Sequence, residues 1–391
     1  MQNVDAAGLG IGDDYPTRIM GVLNISEESP YDPSVFNDHE EAAAYVDEQL
    51  LGEGADIVDV GLESANKRFD VLSAQQELDR LETAIDTIES VSGDAVFSIE
   101  TRYHEVAETA IEAGFDMVND IAGFADPKMP EVCREYDVAV GKMASPPDLE
   151  RPGAVEETDW ASRKSPSWAE RADYVDQVYE ALRQNGLTEK TLVDPAFGGW
   201  SEAKTLDDDR ETFRRLREFR ALERPILVSI NRKNFLRALA DRSTDEALPV
   251  SLAATSMAIE RGAHVVRTHD VAETLDAARI GDAFSATPRH DDALGVEELA
   301  VQTGLDVARY LDVIETDFDP DDGTMQAFRL TGLDSEARDA LSTASTDTGV
   351  TVVDQNAVLV FGTPAALDRL AGAVSAPDRL VDVVSWLAND V

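Results

Sequence analysis

From residue 18 to about residue 283, short apolar runs rich in β-branched residues alternate with longer stretches whose apolar positions recur at helical spacing. Eight runs stand out: RIMGVLN at 18–24, DIVDVG at 56–61, AVFSIE at 95–100, DMVND at 116–120, VAVGKM at 138–143, TLVDP at 191–195, PILVSIN at 225–231 and HVVRTH at 264–269. Near-continuous apolar strands suit a parallel sheet buried on both faces. Between the runs, Ala43, Val46 and Leu50, or Leu78, Leu81, Ile85 and Ile88, fall on one face of a helix. A strand and a helix repeated eight times predict a (β/α)8 TIM barrel, a fold of about 250 residues. An open doubly wound sheet is the alternative.

The rhythm changes after Phe284. SATPRHDD reads as a Pro-containing polar linker, followed by helical patterns at 296–316, 334–345 and 364–389 and strand-like runs at 325–332, 350–354 and 357–363. This divides the chain into an N-terminal tail (1–17), the barrel (18–285), a linker (286–294) and a small α+β domain (295–391) with no constellation of polar residues.

In barrels, sites are built at the C-terminal ends of the strands. The ends here are polar: Asn24, Asp59 with Glu63, Glu100, Asn119 with Asp120, Lys142, Asp194, Asn231 with Arg232 and Lys233, and Arg267 with His269 and Asp270. Taken singly, any of these residues could equally be a cap for the following helix, Asp270 before VAETLDAARI being the example. As a set they suit a ligand with a polar heterocycle at one end and an anion at the other. Carboxylate and amide side chains match paired N–H donors, while Arg267 and His269, two apart on a strand, project to the same side and suit a phosphate.

Charge sharpens that reading. The chain has 391 residues, with 78 Asp and Glu against 34 Lys and Arg, a formal net charge of -44. An anionic ligand would be repelled unless Arg267, His269 and Lys233 formed a local positive island. The same charge argues against nucleic-acid binding. Scattered acidic residues, with basic positions filled mainly by Arg, fit a surface adapted to concentrated salt, which screens self-repulsion. A single cysteine, Cys133, excludes an intrachain disulfide and reads as packed, and His39, His104, His264 and His290 read as ordinary surface or helix residues. Trp160, Trp168 and Trp200 are candidates for loop packing over the site. No apolar run approaches the ~18 residues of a membrane span, and the acidic N-terminus lacks a signal peptide's basic and apolar regions. A cytoplasmic location is expected.

At these residues the barrel resembles the dihydropteroate synthase family. Met20 to Ile25 is similar to its opening MGILNVT, residues 54–64 to GADIIDVGGEST, residues 113–121 to AGADIINDI, residues 193–198 to LDPGFGF, and Arg267 to Asp270 to RVHD, while Arg232 and Lys233 sit in an SRKS-like loop. The resemblance implies a transferase joining 6-hydroxymethyl-7,8-dihydropterin pyrophosphate to p-aminobenzoate. It implies Glu100, Asn119, Asp194 and Lys233 around the pterin, with Lys233 and Asp194 catalytic. Asn24, Arg267 and His269 would lie at the pyrophosphate, Asn24 would hold Mg2+, and the protein would be a homodimer. Glu100 stands where the family usually has Asp. The loops at 27–34 and 64–68 depart from PDSFSDGG and from the Arg-Pro after GEST, which concerns the arylamine side. A different arylamine, a related pterin methyltransferase and a noncatalytic pterin-binding protein are the alternatives.

Overall fold

The structure is a computed structural model that describes residues 1–391 except 27–33, 64–70, 146–157, 199–203, 287, 292–293, 295, 313, 315, 356 and 389–391. It separates into two units, Met1–Glu298 and Leu299–Val391.

The first unit opens with an antiparallel hairpin, β1 (Val4–Ala6) and β2 (Leu9–Ile11). Eight parallel strands then close into a barrel: β3 (Arg18–Asn24), β4 (Ile57–Gly61), β5 (Val96–Thr101), β6 (Met117–Asp120), β7 (Ala139–Met143), β8 (Thr191–Asp194), β9 (Ile226–Val228) and β10 (Ala263–Thr268). Each strand pairs with the next, and β10 returns to β3 with Arg267 opposite Met20. Helices intervene because the stretches between strands carry one apolar face and good caps. Ala74–Ser90, for example, starts in a capping box between Ser73 and Gln76 and buries Leu81 and Ala84.

The inward side chains change character along the barrel axis. Met20, Ile57, Val96, Met117, Ala139, Leu192, Leu227 and Val265, one from each strand, form a single apolar layer. Two residues further along the same strands stand Val22, Asp59, Ser98, Asn119, Gly141, Asp194 and Arg267. Strand side chains alternate between faces, so this second set also points inward. The barrel is therefore sealed by hydrocarbon at one end and polar at the other.

The sequence pattern labelled residues 1–17 a tail. Instead Val4, Ala6 and Ile11 of the hairpin are buried and belong to the apolar layer that seals the barrel bottom. Polar contacts fasten the following turn. Asp13 accepts from Arg220 Nη2 at 2.8 Å and lies 3.1 Å from His264 Nε2. His264 is thus a buried member of β10, with Nδ1 accepting from Ile226 N at 3.1 Å, and not the surface residue expected. Three-residue strands are too short to give a period, which is why the pattern missed them.

The expected linker 286–294 contains β11 (His290–Asp291), which pairs with β12 (Val296–Glu297) within the first unit. The helical pattern at 296–316 is realised only over Gly304–Leu311. The second unit carries an antiparallel sheet with β15 (Val358–Gly362) between β13 (Gln326–Leu330) and β14 (Thr351–Asp354). Helices Ser335–Ser345, Pro364–Ala373 and Asp378–Ala388 contribute Leu341, Leu367, Leu370, Leu380 and Val384 to a core shared with Val358 and Val360. The pattern at 364–389 is two helices because Pro377, which has no N–H to give, falls between them. No helix among the described residues is long and apolar enough to cross a membrane.

Candidate active site

Arg267 organises the polar end. From β10 it donates through Nε to Asp59 Oδ2 at 2.7 Å and through Nη2 to Glu100 Oε2 at 2.6 Å. Asp59 also accepts from Asn119 Nδ2 at 2.9 Å and from Ser98 Oγ at 2.7 Å, so β4, β5, β6 and β10 are tied across the barrel mouth. Asp59 was visible in the sequence only as a polar strand end, without an assigned role. Its inward phase, two residues after Ile57, is the signal that marks it.

Burial penalises both ions of the Arg267 and Glu100 pair. Glu100 is pushed up by burial against the opposing pull of Arg267. Burial also works against the Arg267 guanidinium, but Glu100 and Asp59 outweigh it and its pKa is raised. Gly141, facing Asn119 from β7, keeps space above this network: a Cβ there would lie 3.0 Å from Asn119 Oδ1.

Asp194 ends β8 and is buried. Its Oδ1 accepts from Ala196 N at 2.7 Å, yet burial raises its pKa to about 6, with the Ala196 N–H, Lys233, Arg267 and Lys204 all pulling the other way. Lys233 follows β9, and its pKa is lowered by burial despite Asp194. Each favours the charged form of the other. A Cβ on Gly198, which has φ +91, would lie 3.3 Å from Lys233 Nζ, so the turn after β8 packs against the ammonium.

Asn24 and His269 meet through Ser34. Asn24 Nδ2 donates to Ser34 Oγ at 2.9 Å, and Ser34 Oγ lies 3.2 Å from His269 Nδ1. Burial, helped by Arg267, lowers the His269 pKa to about 3, so the imidazole is neutral at pH 7. Sequence reasoning had no signal for Ser34, which is ten residues from Asn24 in a divergent loop.

Other strand-end residues lie elsewhere. Asp120 and Lys142, out of phase with the inward set, point away from the mouth. Asp120 accepts from the Ala122 and Phe124 N–H groups at 2.8 and 2.7 Å, and Lys142 donates to the Leu182 and Gly186 carbonyls at 2.8 and 3.0 Å. Burial lowers the Lys142 pKa to about 7. Arg232, at φ 54, is held by Asp270, with Nε to Oδ2 at 2.9 Å and Nη2 to Oδ1 at 2.8 Å. Glu63 accepts from Leu72 N at 3.0 Å and pairs with Arg102. Cys133 is buried, and burial pushes its thiol up to about 12. Trp160 and Trp168 pack on each other with centroids 5.4 Å apart. Residues 27–33 and 64–68, and Trp200, lie outside the described residues.

Comparison with known proteins agrees with this geometry. Residues 20–269 match the pterin binding enzyme family. A probable bifunctional folylpolyglutamate synthase/dihydropteroate synthase from Halobacterium salinarum is 34% identical over 267 residues, 68% of this chain and 31% of the relative. This chain thus spans about a third of that relative's length. The dihydropteroate synthase of Clostridium beijerinckii is 31% identical over 68% of this chain and 93% of its own. Among solved structures, a Coxiella burnetii dihydropteroate synthase in complex with pteroic acid has a TM-score of 0.57 and 27% identity, covering 72% of this chain and 98% of that one. A Xanthomonas albilineans dihydropteroate synthase with 4-aminobenzoic acid has a TM-score of 0.57 and 28% identity over 72% and 97%. With the ordered motifs placed around one barrel mouth and the family match running through all eight strands, this chain belongs to the pterin-binding enzyme family.

Proposed function

We propose that the barrel condenses 6-hydroxymethyl-7,8-dihydropterin pyrophosphate with p-aminobenzoate, giving 7,8-dihydropteroate and pyrophosphate. One observation carries this reading: Asp59, Glu100, Asn119, Asp194, Lys233 and Arg267 share the polar barrel mouth, with acceptors for a pterin's N–H edge beside cations for its leaving group. The C–O bond to pyrophosphate breaks, the arylamine nitrogen bonds to the methylene carbon, and that nitrogen loses a proton. The buried carboxylates tolerate the pterin cation, and the cations favour charge growing on the departing oxygen. Neutral His269 would serve the pyrophosphate as a hydrogen-bond donor through Nε2, with Nδ1 facing Ser34.

Mg2+ fits the donors present. A Cβ on Gly61 would lie 3.2 Å from Asn24 Oδ1 and 3.7 Å from Glu100 Oε1, so two hard oxygens converge over Gly61 beside the anion site. Asn24 would hold the ion, which when bound neutralises pyrophosphate charge.

The net charge of -44 and the Halobacterium relative support a halophilic source, and both fit a cytoplasmic enzyme. An apolar groove between helices, lined by Phe213, Leu236, Leu239, Val250 and Met257, supports a homodimer; Leu239 is 64% and Met257 47% exposed. The test of function is pyrophosphate release from dihydropterin pyrophosphate, Mg2+ and p-aminobenzoate in molar KCl. Release that appears only with a larger arylamine would keep the transferase and replace the second substrate. Pterin binding without release in either case would leave a noncatalytic binding protein.

A further inference from the structure

The turn that leaves β8 is strained. Ala196 has φ 61 and Gly198 has φ 91, and the first of these is a conformation that costs a residue with a Cβ about 1–2 kcal/mol. Strained backbone persists where its surroundings over-determine it. Here they do so through a side-chain pair outside the set assigned above. Lys204 donates to Ala196 O at 2.7 Å, Gly198 O at 3.2 Å and Asp209 Oδ1 at 2.7 Å. Asp209, on the helix Leu206–Arg214, accepts from Gly198 N at 3.1 Å. Both side chains are nearly inaccessible, at 3% and 5%. Phe197, between the gripped residues, stacks on Phe235 with centroids 5.6 Å apart.

We propose that Lys204, locked to Asp209, is a positioning residue for the pterin end of the site, holding the Ala196–Gly198 backbone so that Ala196 N fixes the Asp194 carboxylate and Gly198 seats the Lys233 ammonium. The inference rests on the proposed pterin reading of that end. It explains why a chain so poor in lysine keeps this one buried: an ammonium has three donors, and here they reach the Ala196 and Gly198 carbonyls of the turn and the Asp209 carboxylate. The charge adds a second effect. Lys233, Arg267 and Lys204 all favour the ionised form of Asp194. Asp194, Arg267, Lys204 and Asp209 act on Lys233, where the two cations lower and the two carboxylates raise its pKa. Loss of the Lys204 charge therefore moves Asp194 upward.

The test is Lys204→Met in the full chain. Its KM for 6-hydroxymethyl-7,8-dihydropterin pyrophosphate should rise at least about tenfold, since a misplacement of ~1 Å in a site can cost up to ~100-fold. Its KM for the arylamine should change little, and the acid limb of its pterin-binding profile should move to higher pH. Asp209→Asn, which keeps an acceptor for Gly198 N, should show the same pattern more weakly, and it carries the test if Lys204→Met does not fold. Unchanged pterin KM and an unmoved acid limb in a folded variant overturn the proposal. If wild type binds the pterin pyrophosphate without turning it over, the function reading fails, while calorimetric Kd values for the same ligand still decide the role of Lys204.

Discussion

Asp194 and Lys233 show how burial makes two ordinary residues useful. With its pKa raised to about 6 by burial, Asp194 is ionised at neutral pH but close enough to titration to report on its surroundings. If pterin N–H groups need the ionised carboxylate, kcat/KM for the pterin substrate should be flat above about pH 6 and fall toward tenfold per unit below it. A profile level down to pH 5 removes Asp194 from that role. Lys233 favours the ionised carboxylate, so in Lys233→Ala the acid limb of pterin binding should move up and turnover should drop by roughly 100-fold to 1,000-fold. Stability should respond differently. The folded pKa of Asp194 lies above its unfolded value of 3.8, so its ionisation counts against the fold as pH rises through the interval from 3.8 to about 6. Asp194→Asn, which keeps an acceptor for Ala196 N, should therefore unfold at pH 7 within a few degrees of wild type while losing pterin affinity, as differential scanning calorimetry alongside binding will show.

At the scale of the strand, position decides which polar residues can act. Asn119 and Asp120 are neighbours in sequence, yet one reaches Asp59 inside the barrel and the other accepts two backbone N–H groups outside it. Polarity at a strand end was legible in the sequence; phase was legible too, by counting from Ile57, Met117 and Ala139, and it would have separated Lys142 from the site and included Asp59 within it. Ser34 was not legible, because a loop has no period from which to count. Gly141 tests the account of phase: Gly141→Ala places a methyl group 3.0 Å from Asn119 Oδ1, so pterin affinity should fall several-fold with a small change in unfolding midpoint. Unaltered affinity would show that Asn119 does not need that space. The hairpin β1–β2 makes the opposite case, since Val4, Ala6 and Ile11 belong to the layer that closes the apolar end. Ile11→Ala should cost about 2–5 kcal/mol in urea unfolding and leave KM values alone. The buried His264 near Asp13 should add a pH signature. Its pKa is lowered by burial, so its contribution is complete above the unfolded value of 6.5 and is lost as pH falls below it.

Across the whole molecule, the site and the surface make opposite demands. A net charge of -44 surrounds a mouth proposed to take an anionic ligand, and Arg267 and Lys233 answer that charge only locally, already engaged by Asp59, Glu100 and Asp194. Salt should separate the two. Exposed like charges are screened within about 3 Å at 1 M, whereas a desolvated pair is screened far less. The unfolding midpoint should therefore climb steeply from dilute buffer to about 1 M KCl as surface repulsion is screened. Charge reversal isolates the cause from a general salting-out of apolar surface, which would act on any variant. Asp207→Lys and Asp276→Lys alter two acids that are 84% and 79% exposed on helices Leu206–Arg214 and Val271–Phe284. Both pair with an arginine three residues on, but exposed pairs of this kind are worth only about 0.3–0.5 kcal/mol. In a chain dominated by self-repulsion, the double variant should lose less stability on transfer from 1 M to 0.1 M KCl than wild type does. An equal loss in both proteins would mean that the salt requirement comes from burial and not from charge, and would sink the self-repulsion account while leaving the barrel and its site untouched.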